Sequence, residues 1–204
     1  MARFTSSTFG KISGKHGTAV AAVRKDGLCI LKEYRVASNP NTAGQKSQRG
    51  KFGFVMKEIN CLRSVFTRNF GGQYGINKVV SMAMKVALTG NYPDFSLDFS
   101  KLPLSAGSLN NTLEVFVKRV DLQTLQFTWN PDSLINGSPN DKVCFVLLNS
   151  RTKFVLERYD RALRSDAKVQ LQIPEGWNDS DIQAWIYFSS FDGKSNSPSQ
   201  HITL

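Results

Sequence analysis

The 204-residue chain has no long hydrophobic run and few cysteines and histidines, and its first half has few acidic residues. No apolar stretch approaches the roughly 20 residues that a membrane-spanning helix needs, so no membrane partner is expected. The N-terminal residues lack the apolar core of a secretory signal, and we therefore expect a cytoplasmic protein. Hydrophobic residues make up 41% of the chain and aromatic residues 11%, which excludes general disorder and predicts a packed core.

Cysteine and histidine are too sparse to predict a covalent framework or a metal centre. Cys29, Cys61 and Cys144 are odd in number and far apart, which argues against a set of disulfides. Their apolar neighbours favour buried free thiols. His16 and His201 lie near opposite ends of the chain, and no Cys–His pair has the spacing of metal ligands. The sequence therefore predicts neither a metal nor a cofactor.

No motif in the chain carries a recognisable catalytic chemistry. Three residues lie between Gly10 and Gly14, and His16 follows Lys15, whereas a phosphate-binding P-loop has four residues between its glycines and a Ser or Thr after its lysine. The two histidines provide no credible Ser-His-Asp triad. We therefore expect a protein that is not an enzyme and has no catalytic residues.

Positive charge is concentrated in the first half of the chain. Residues 1–90 hold 15 Lys and Arg against 3 Asp and Glu, a net charge of +12, whereas residues 91–204 hold 11 and 13, a net charge of −2. The formal charge of +10 therefore belongs to the N-terminal part alone. The basic residues that we identify as candidate docking or phosphate contacts are Lys11, Lys15, Arg24, Lys25, Lys46, Arg49, Lys57 and Arg68.

Three interpretations of this basic surface remain open. Clustered cations bind phosphate backbones by releasing counterions, and Phe4, Phe9 and Tyr34 are aromatic residues that could stack on bases. The same surface suits an acidic protein partner in an assembly. It also suits a solvated face that only keeps the protein soluble.

The N-terminal half has the pattern of a β-hairpin followed by helices. The stretches 18–23 and 28–34 flank Arg24-Lys25-Asp26-Gly27, in which Asp-Gly is typical of a tight hairpin turn with positive φ angles. Thr42 with Gln45 fits a capping box, and the helix that it starts is predicted to run to about residue 70. Gly71-Gly72 separates this helix from a second one over residues 77–88, with Asn77 as its predicted N-cap.

The first helix is amphipathic. Its apolar residues are spaced alternately three and four apart, which places them on one packing stripe: Phe52, Val55, Ile59, Leu62 and Phe66. Lys46, Lys57 and Arg68 lie on the opposite stripe. Gly50 and its neighbouring glycines weaken the first half, so a break or a frayed start is expected near Gly50.

The C-terminal half has the sequence pattern of an all-β domain. Residues 95–100 alternate between apolar and polar and predict one half-buried strand, and Ser105-Ala106-Gly107-Ser108 resembles a linker. We therefore predict a basic domain over residues 1–106 and a second domain over residues 107–204. Seven short strands separated by turn signals are predicted in the second domain, at 113–119, 125–129, 143–149, 154–159, 169–173, 182–188 and 201–204.

This strand count is typical of an immunoglobulin-like or fibronectin-like sandwich. No cysteine pair joins the predicted strands, which favours the disulfide-free fibronectin style. Trp129 and Trp185 are expected in the core of that sandwich. The predicted fold class is thus an α+β unit of one β-hairpin and two helices, followed by an immunoglobulin-like β-sandwich.

Two segments also resemble an uncharacterised family. The first is Phe9-Gly10-Lys11-Ile12-Ser13-Gly14-Lys15-His16-Gly17, and the second runs from Ser38-Asn39-Pro40-Asn41-Thr42 to Gln48-Arg49-Gly50-Lys51-Phe52. Both are similar to motifs of a domain of unknown function in proteins of about this length from Bacteroidales-type bacteria and related mobile elements, including phages. The resemblance implies no catalytic residues, and it implies a structural or virion-associated role.

Together these observations lead to one functional expectation and one alternative. We expect a non-enzymatic structural or assembly protein of phage or mobile-element origin, cytoplasmic or in a virion, which binds protein partners or copies of itself through its basic half. The alternative is a nucleic-acid-binding protein that uses the cations of residues 1–90.

Overall fold

A small antiparallel sheet forms the N-terminal unit of the chain. The computed structural model describes residues 2–3, 10–36, 38–112, 114–132 and 136–204. The strands of this sheet are β1 (Ala2–Arg3), β2 (Gly14–His16), β3 (Ala19–Val23) and β4 (Cys29–Glu33), in the order β1-β4-β3-β2. The predicted hairpin is confirmed, since β3 pairs with β4 in antiparallel register.

The turn of this hairpin differs from the predicted one. The amide of Gly27 donates to the carbonyl of Arg24 at 2.9 Å, and within the turn the positive φ falls on Gly27 alone, at 79°. Asp26 instead accepts a hydrogen bond from the amide of Leu28 through its side chain, at 3.2 Å. The chain therefore makes a four-residue turn that ends on a left-handed glycine, and Asp26 contributes its carboxylate rather than a positive φ.

Three helices open the second unit. They are α1 (Ala43–Ile59), α2 (Arg63–Phe70) and α3 (Gly72–Val86), and a 3₁₀ turn at Asn60–Leu62 lies between the first two. The predicted single helix to residue 70 is therefore interrupted. The second predicted helix begins at Gly72 rather than after Asn77, because Gly71, with φ 78°, is its N-cap.

The packing stripe of the first helices forms as predicted except at its beginning. Val55, Ile59, Leu62 and Phe66 are buried, whereas Phe52 is 52% exposed. Helix α1 continues through Gly50 without a break. A Cβ at Gly50 would lie 3.1 Å from the ring of Tyr92, so the glycine makes room for that ring against the helix.

A short hairpin follows the helices. Strands β5 (Leu88–Asn91) and β6 (Asp94–Leu97) pair with each other, and Phe95 of β6 lies 6.0 Å from Phe54 of α1 between ring centroids. The strand predicted at 95–100 is therefore confirmed only in its first part. A 3₁₀ turn at Phe99–Lys101 follows, because the Asp98 side chain accepts from the amide of Ser100 at 3.0 Å.

Strands appear at all seven predicted places in the C-terminal part of the chain. Leu113, the first residue of the first predicted strand, lies outside the described residues. The strands are β7 (Val115–Asp121), β8 (Thr124–Trp129), β9 (Lys142–Asn149), β10 (Val155–Arg158), β11 (Lys168–Gln172), β12 (Ile182–Ser189) and β13 (Gln200–Ile202). They form two antiparallel sheets, with the orders β11-β8-β7 and β10-β9-β12-β13.

The two central strands of the larger sheet are buried on both faces. Alternate residues of β9 and β12, among them Phe145 and Ile186, join Phe127 and Trp129 of β8 in a core between the two sheets. The residues between them face the helices in a second core. Trp185 was expected in the core between the sheets but belongs to this helix-facing core. Neighbouring residues of a strand point to opposite faces, so Trp185 points away from the face that Ile186 covers.

Helices and sheets therefore form one mixed α+β architecture, which confirms the coarse fold class. The compact units are Met1–Thr42 and Ala43–Leu204, and both hydrophobic cores consist of residues from the second unit. In the first unit, Ala21 and Cys29 are the buried hydrophobic residues among those described. The predicted boundary between residues 106 and 107 implies that residues 107–204 fold on their own, and it stays a prediction.

Candidate docking surface and polar cavity

The predicted contacts of the first unit are exposed cations on and around its sheet. The ammonium of Lys15 lies 3.9 Å above the ring centroid of Tyr34, which covers one face of that ring. Arg24 pairs with Asp26 at 3.6 Å, where both side chains are more than half exposed. Lys11 and Lys25 are also exposed. Phe4 and Phe9 lie outside the described residues.

The predicted contacts of the second unit lie on two different helices. Lys46 and Lys57 are exposed on α1, as their position opposite the packing stripe predicts, and Arg49 is exposed on the same helix. Arg68 is exposed on α2, but its guanidinium lies 3.9 Å above the ring centroid of Tyr159. Arg68 is therefore part of a local cluster rather than of the α1 surface.

A groove with an apolar lining lies between α1 and α3 on the helical surface. Its volume is about 400 Å³, and we call it the α1–α3 groove. The half-exposed ring of Phe52 and the side chains of Val80 and Met84 form its apolar part. Lys51 and Lys85 lie on its walls, which also contain Gln48, Asn77 and Ser81 and no carboxylate. The groove is thus apolar inside and basic at its edge.

A second recess, which we call the polar cavity, lies beside α2 and has a volume of about 150 Å³. Its lining comes from α2, β9, β12 and the loops that follow β10 and β12. The lining residues are Arg68, Asn69, Lys142, Cys144, Tyr159, Asp160, Tyr187, Ser189, Gly193 and Asn196. Of these, only Arg68 is a predicted contact.

Hydrogen bonds hold the tyrosines of the polar cavity in place. The hydroxyl of Tyr187 donates to Oδ1 of Asn69 at 3.2 Å, and Nδ2 of Asn69 donates to the carbonyl of Leu104 at 2.8 Å. The hydroxyl of Tyr159 donates to Glu157 at 2.6 Å, and the same carboxylate accepts from Ser64 of α2. This network joins α2 to the four-stranded sheet.

The thiol and the two phenol groups of the polar cavity are held in their neutral forms. Burial raises the pKa of the Cys144 thiol to about 12. Burial, together with Cys144, raises the pKa of Tyr187, and burial, together with Tyr187, raises that of Tyr159. A thiol with so high a pKa is protonated at neutral pH and is a poor nucleophile. The cavity therefore offers hydrogen-bonding groups rather than an activated nucleophile.

The side chain of His201 is engaged in packing and in one polar contact. His201 lies against Trp185 with ring centroids 5.3 Å apart, and its Nε2 is 2.8 Å from Oε1 of Gln183. Burial lowers the pKa of His201. In the part of the chain that the structure describes, no group of three or more His, Cys, Asp or Glu side chains is placed to hold a metal ion.

A comparison with family models relates this architecture to other proteins. The model of DUF6266, described as a family of unknown function, matches residues 11–203. The chain belongs to this family. The resemblance stated from the two N-terminal motifs to an uncharacterised family is thereby confirmed. No curated protein matches this DUF6266 chain. None of its described helices has the length and apolar character that crossing a bilayer requires.

Sequence reasoning missed most residues of both recesses in this DUF6266 protein. Phe52 was expected to be in the core, and the signal against that is its position at the first, N-terminal end of the stripe, where fewer elements can cover it. The cavity residues Cys144, Tyr159 and Tyr187 are far apart in the sequence. Cys144 and Tyr187 also alternate along their strands with residues of the core between the sheets. No local pattern distinguishes them from ordinary strand residues.

Proposed function

We propose that this DUF6266 chain is a non-enzymatic assembly protein that docks a protein partner through its basic N-terminal half. The observation that carries the proposal is the half-exposed Phe52 in the α1–α3 groove. A large aromatic side chain that the fold leaves in a concave apolar site is typical of binding surfaces.

The chemistry of the groove indicates the kind of partner. Phe52, Val80 and Met84 favour an apolar side chain as the central contact, and methionine adapts its shape to different partners. Lys51 and Lys85 attract carboxylates at the edge of the same contact. We therefore expect an acidic protein segment with an apolar face as the occupant.

The two-sheet part would act as a rigid support for this surface. We propose that β7 to β13 form an immunoglobulin-like sandwich of the fibronectin style. The support is the strand order, because β7-β8-β11 and β10-β9-β12-β13 correspond to the orders A-B-E and C′-C-F-G of such domains. Phe127, Trp129 and Phe145 pack between the sheets as sandwich cores require.

Site-specific photo-cross-linking tests the docking proposal. A photoreactive phenylalanine analogue replaces Phe52 in the full chain, which is mixed with extract of its own host, and cross-linked products are identified by mass spectrometry. Phe116 of β7 is the matched control, because it is 67% exposed and lies outside the groove lining. We expect one defined product from position 52, either a partner or a second copy, and none from position 116.

Charge reversal adds a second criterion. Lys51→Glu with Lys85→Glu should abolish the product from position 52, since both lysines line the groove. Equal products from positions 52 and 116 would contradict the proposal. A protein that stays monomeric at high concentration and forms no product at position 52 would contradict it as well.

Nucleic-acid binding is the second candidate function. It is favoured by exposed lysines in each unit for which the described residues provide no ion pair, Lys15 and Lys32 in the first unit and Lys46 and Lys57 in the second. Affinity for DNA or RNA should then fall steeply with salt, by a slope of about 0.7 to 0.9 per phosphate contact. Lys46→Ala with Lys57→Ala should flatten that slope. Undetectable binding at low salt would exclude this candidate.

The proposal also includes the location of the protein and the origin of its gene. We also propose a cytoplasmic or virion location and a phage or mobile-element origin, and the resemblance of the two N-terminal motifs bears on the origin alone. The genes beside this one provide an inexpensive test. Portal or capsid genes would favour the assembly role, and replication genes would favour nucleic-acid binding.

A further inference from the structure

Two of the hydrogen-bond acceptors that line the polar cavity, the Asp160 carboxylate and Oδ1 of Asn69, have partners within the chain. The carboxylate of Asp160 is 3.0 Å from the ammonium of Lys142. Oδ1 of Asn69 accepts from Tyr187, and the Glu157 carboxylate behind the cavity accepts from Tyr159. These acceptors are therefore already engaged in holding the lining together.

The donors of the same cavity are in excess. Among the described residues, the side chains of Arg68, Ser189 and Asn196 donate to no acceptor of the chain, although all three line the cavity. Ser189 and Asn196 face each other in an isolated β-bridge, so their side chains project from the same side. Lys142 has further N–H groups besides the one directed at Asp160.

The charges of the lining also favour an anionic ligand. Arg68 and Lys142 are positive and Asp160 is negative, which leaves an excess of positive charge. Arg68 is held in place by the ring of Tyr159, so its planar group of five N–H donors is oriented before a ligand arrives. The neutral Cys144, Tyr159 and Tyr187 add no negative charge.

We propose that the polar cavity is a binding site for a small oxyanion of the phosphate class, either free phosphate or the terminal group of a phosphate monoester. Arg68 would contact two of its oxygens, and Lys142, Ser189 and Asn196 would donate to the others. A cavity of about 150 Å³ has room for one such group. This site is separate from the α1–α3 groove, and its occupation does not depend on the docking proposal.

Isothermal titration of the full-length protein with three small probes tests the proposal. The probes are inorganic phosphate, methyl phosphate and acetate. We expect saturable binding of a phosphate probe and weaker binding of acetate, whose two oxygens leave part of the donor set unused. Binding of inorganic phosphate alone supports a free-ion site, and binding of methyl phosphate supports a site for the end of a larger molecule.

Substitutions locate the binding in the cavity. Arg68→Gln should weaken phosphate binding by about tenfold or more, and Arg68→Lys should have an intermediate effect because it keeps the charge but loses the planar group. Arg151→Gln is the matched control, since Arg151 is exposed and lies outside the cavity lining. Equal affinity of Arg68→Gln and the unmodified protein would overturn the proposal, as would no saturable binding of either phosphate probe.

A second variant covers the case in which Arg68→Gln fails to fold. Asn196→Asp places a negative charge in the lining without changing the size of the side chain. It should abolish phosphate binding, while circular dichroism and the unfolding temperature show that the fold is retained. Unchanged phosphate binding in folded Asn196→Asp would also overturn the proposal.

Discussion

Arg164 and Asp141 form a salt bridge at 3.3 Å whose side chains are only 1% and 3% exposed. The guanidinium also donates to the carbonyl of Asn110 at 2.7 Å and lies 3.8 Å above the ring centroid of Phe188. The Asp141 carboxylate further accepts from the amide of Ser138 at 2.8 Å. A buried ion pair with these additional bonds joins the loop before β9 to the segment before β11.

Asp141→Ala should destabilise the protein strongly. It leaves the Arg164 guanidinium buried without its carboxylate, which typically costs about 3–5 kcal/mol in the free energy of unfolding. Urea denaturation followed by circular dichroism measures this loss. Lys101→Ala is the control, because it removes the exposed ion pair with Asp98 and should cost less than about 1 kcal/mol. Similar losses in both variants would show that the buried pair contributes no more than a surface pair.

Phe66 and Phe52, which lie on the same predicted stripe, should respond differently to truncation. Phe66 is fully buried, so Phe66→Ala should lower the free energy of unfolding by about 3–5 kcal/mol. Phe52 is 52% exposed, so Phe52→Ala should cost less than about 1.5 kcal/mol. The same denaturation experiment compares the two. A loss at Phe52 as large as that at Phe66 would mean that Phe52 is core and is not available for docking.

Alkaline pH should destabilise the protein through Cys144. Burial raises the pKa of this thiol from 9.0 to about 12, so between these pH values the unfolded chain has released the proton that the folded chain keeps. The free energy of unfolding must then fall as pH rises through this window, by up to about 1.4 kcal/mol per pH unit for this one group. Unfolding measured from pH 8 to 12 is expected to show this decline.

Cys144→Ala should make that decline less steep. Val146→Ala is the matched control, because Val146 is buried in the same helix-facing core and has no ionisable group. It should lower stability at every pH and leave the slope unchanged. If both variants had the same slope as the unmodified protein, the decline would have to come from other groups.

Removal of residues 1–42 should leave a folded protein. Both hydrophobic cores are made of residues from 43–204, so the truncated chain retains them completely. We expect a cooperative thermal transition for residues 43–204. Residues 107–204 alone should instead bind a hydrophobic dye and aggregate, because Val146, Leu148 and Trp185 lose the helices that cover them. A well-folded 107–204 fragment would support the boundary predicted after residue 106.

Local patterns predicted the strands well, because alternation and turn residues act over a few positions. Asn136-Gly137 and Asp192-Gly193 lie between strands as expected. The predicted start of α3 at Asn77 was too late. The helix begins directly after Gly71, whose positive φ separates it from α2. The run Val143–Leu148 indicated a strand, and its unbroken apolar character was the available signal that both faces are covered.

The recesses could not be predicted, since each depends on residues that are distant in the sequence. Arg68 was selected for its charge alone, and only the fold places it over Tyr159, about 90 positions further along the chain. Phe52 has the correct spacing for the stripe, but spacing does not show how far α3 extends to cover it. Pattern predicts which face of an element is apolar, whereas packing determines how much of that face remains open.

The double burial of β9 and β12 has a consequence for how this protein opens. In their central parts, residues 145–148 and 184–186, both strands pair with a neighbouring strand on each side, and their side chains are covered by helices on one face and by the smaller sheet on the other. No local fluctuation exposes these amides to solvent without separating a layer. Their deuterium uptake should therefore be the slowest in the chain, and its rate would report the free energy of unfolding the whole second unit.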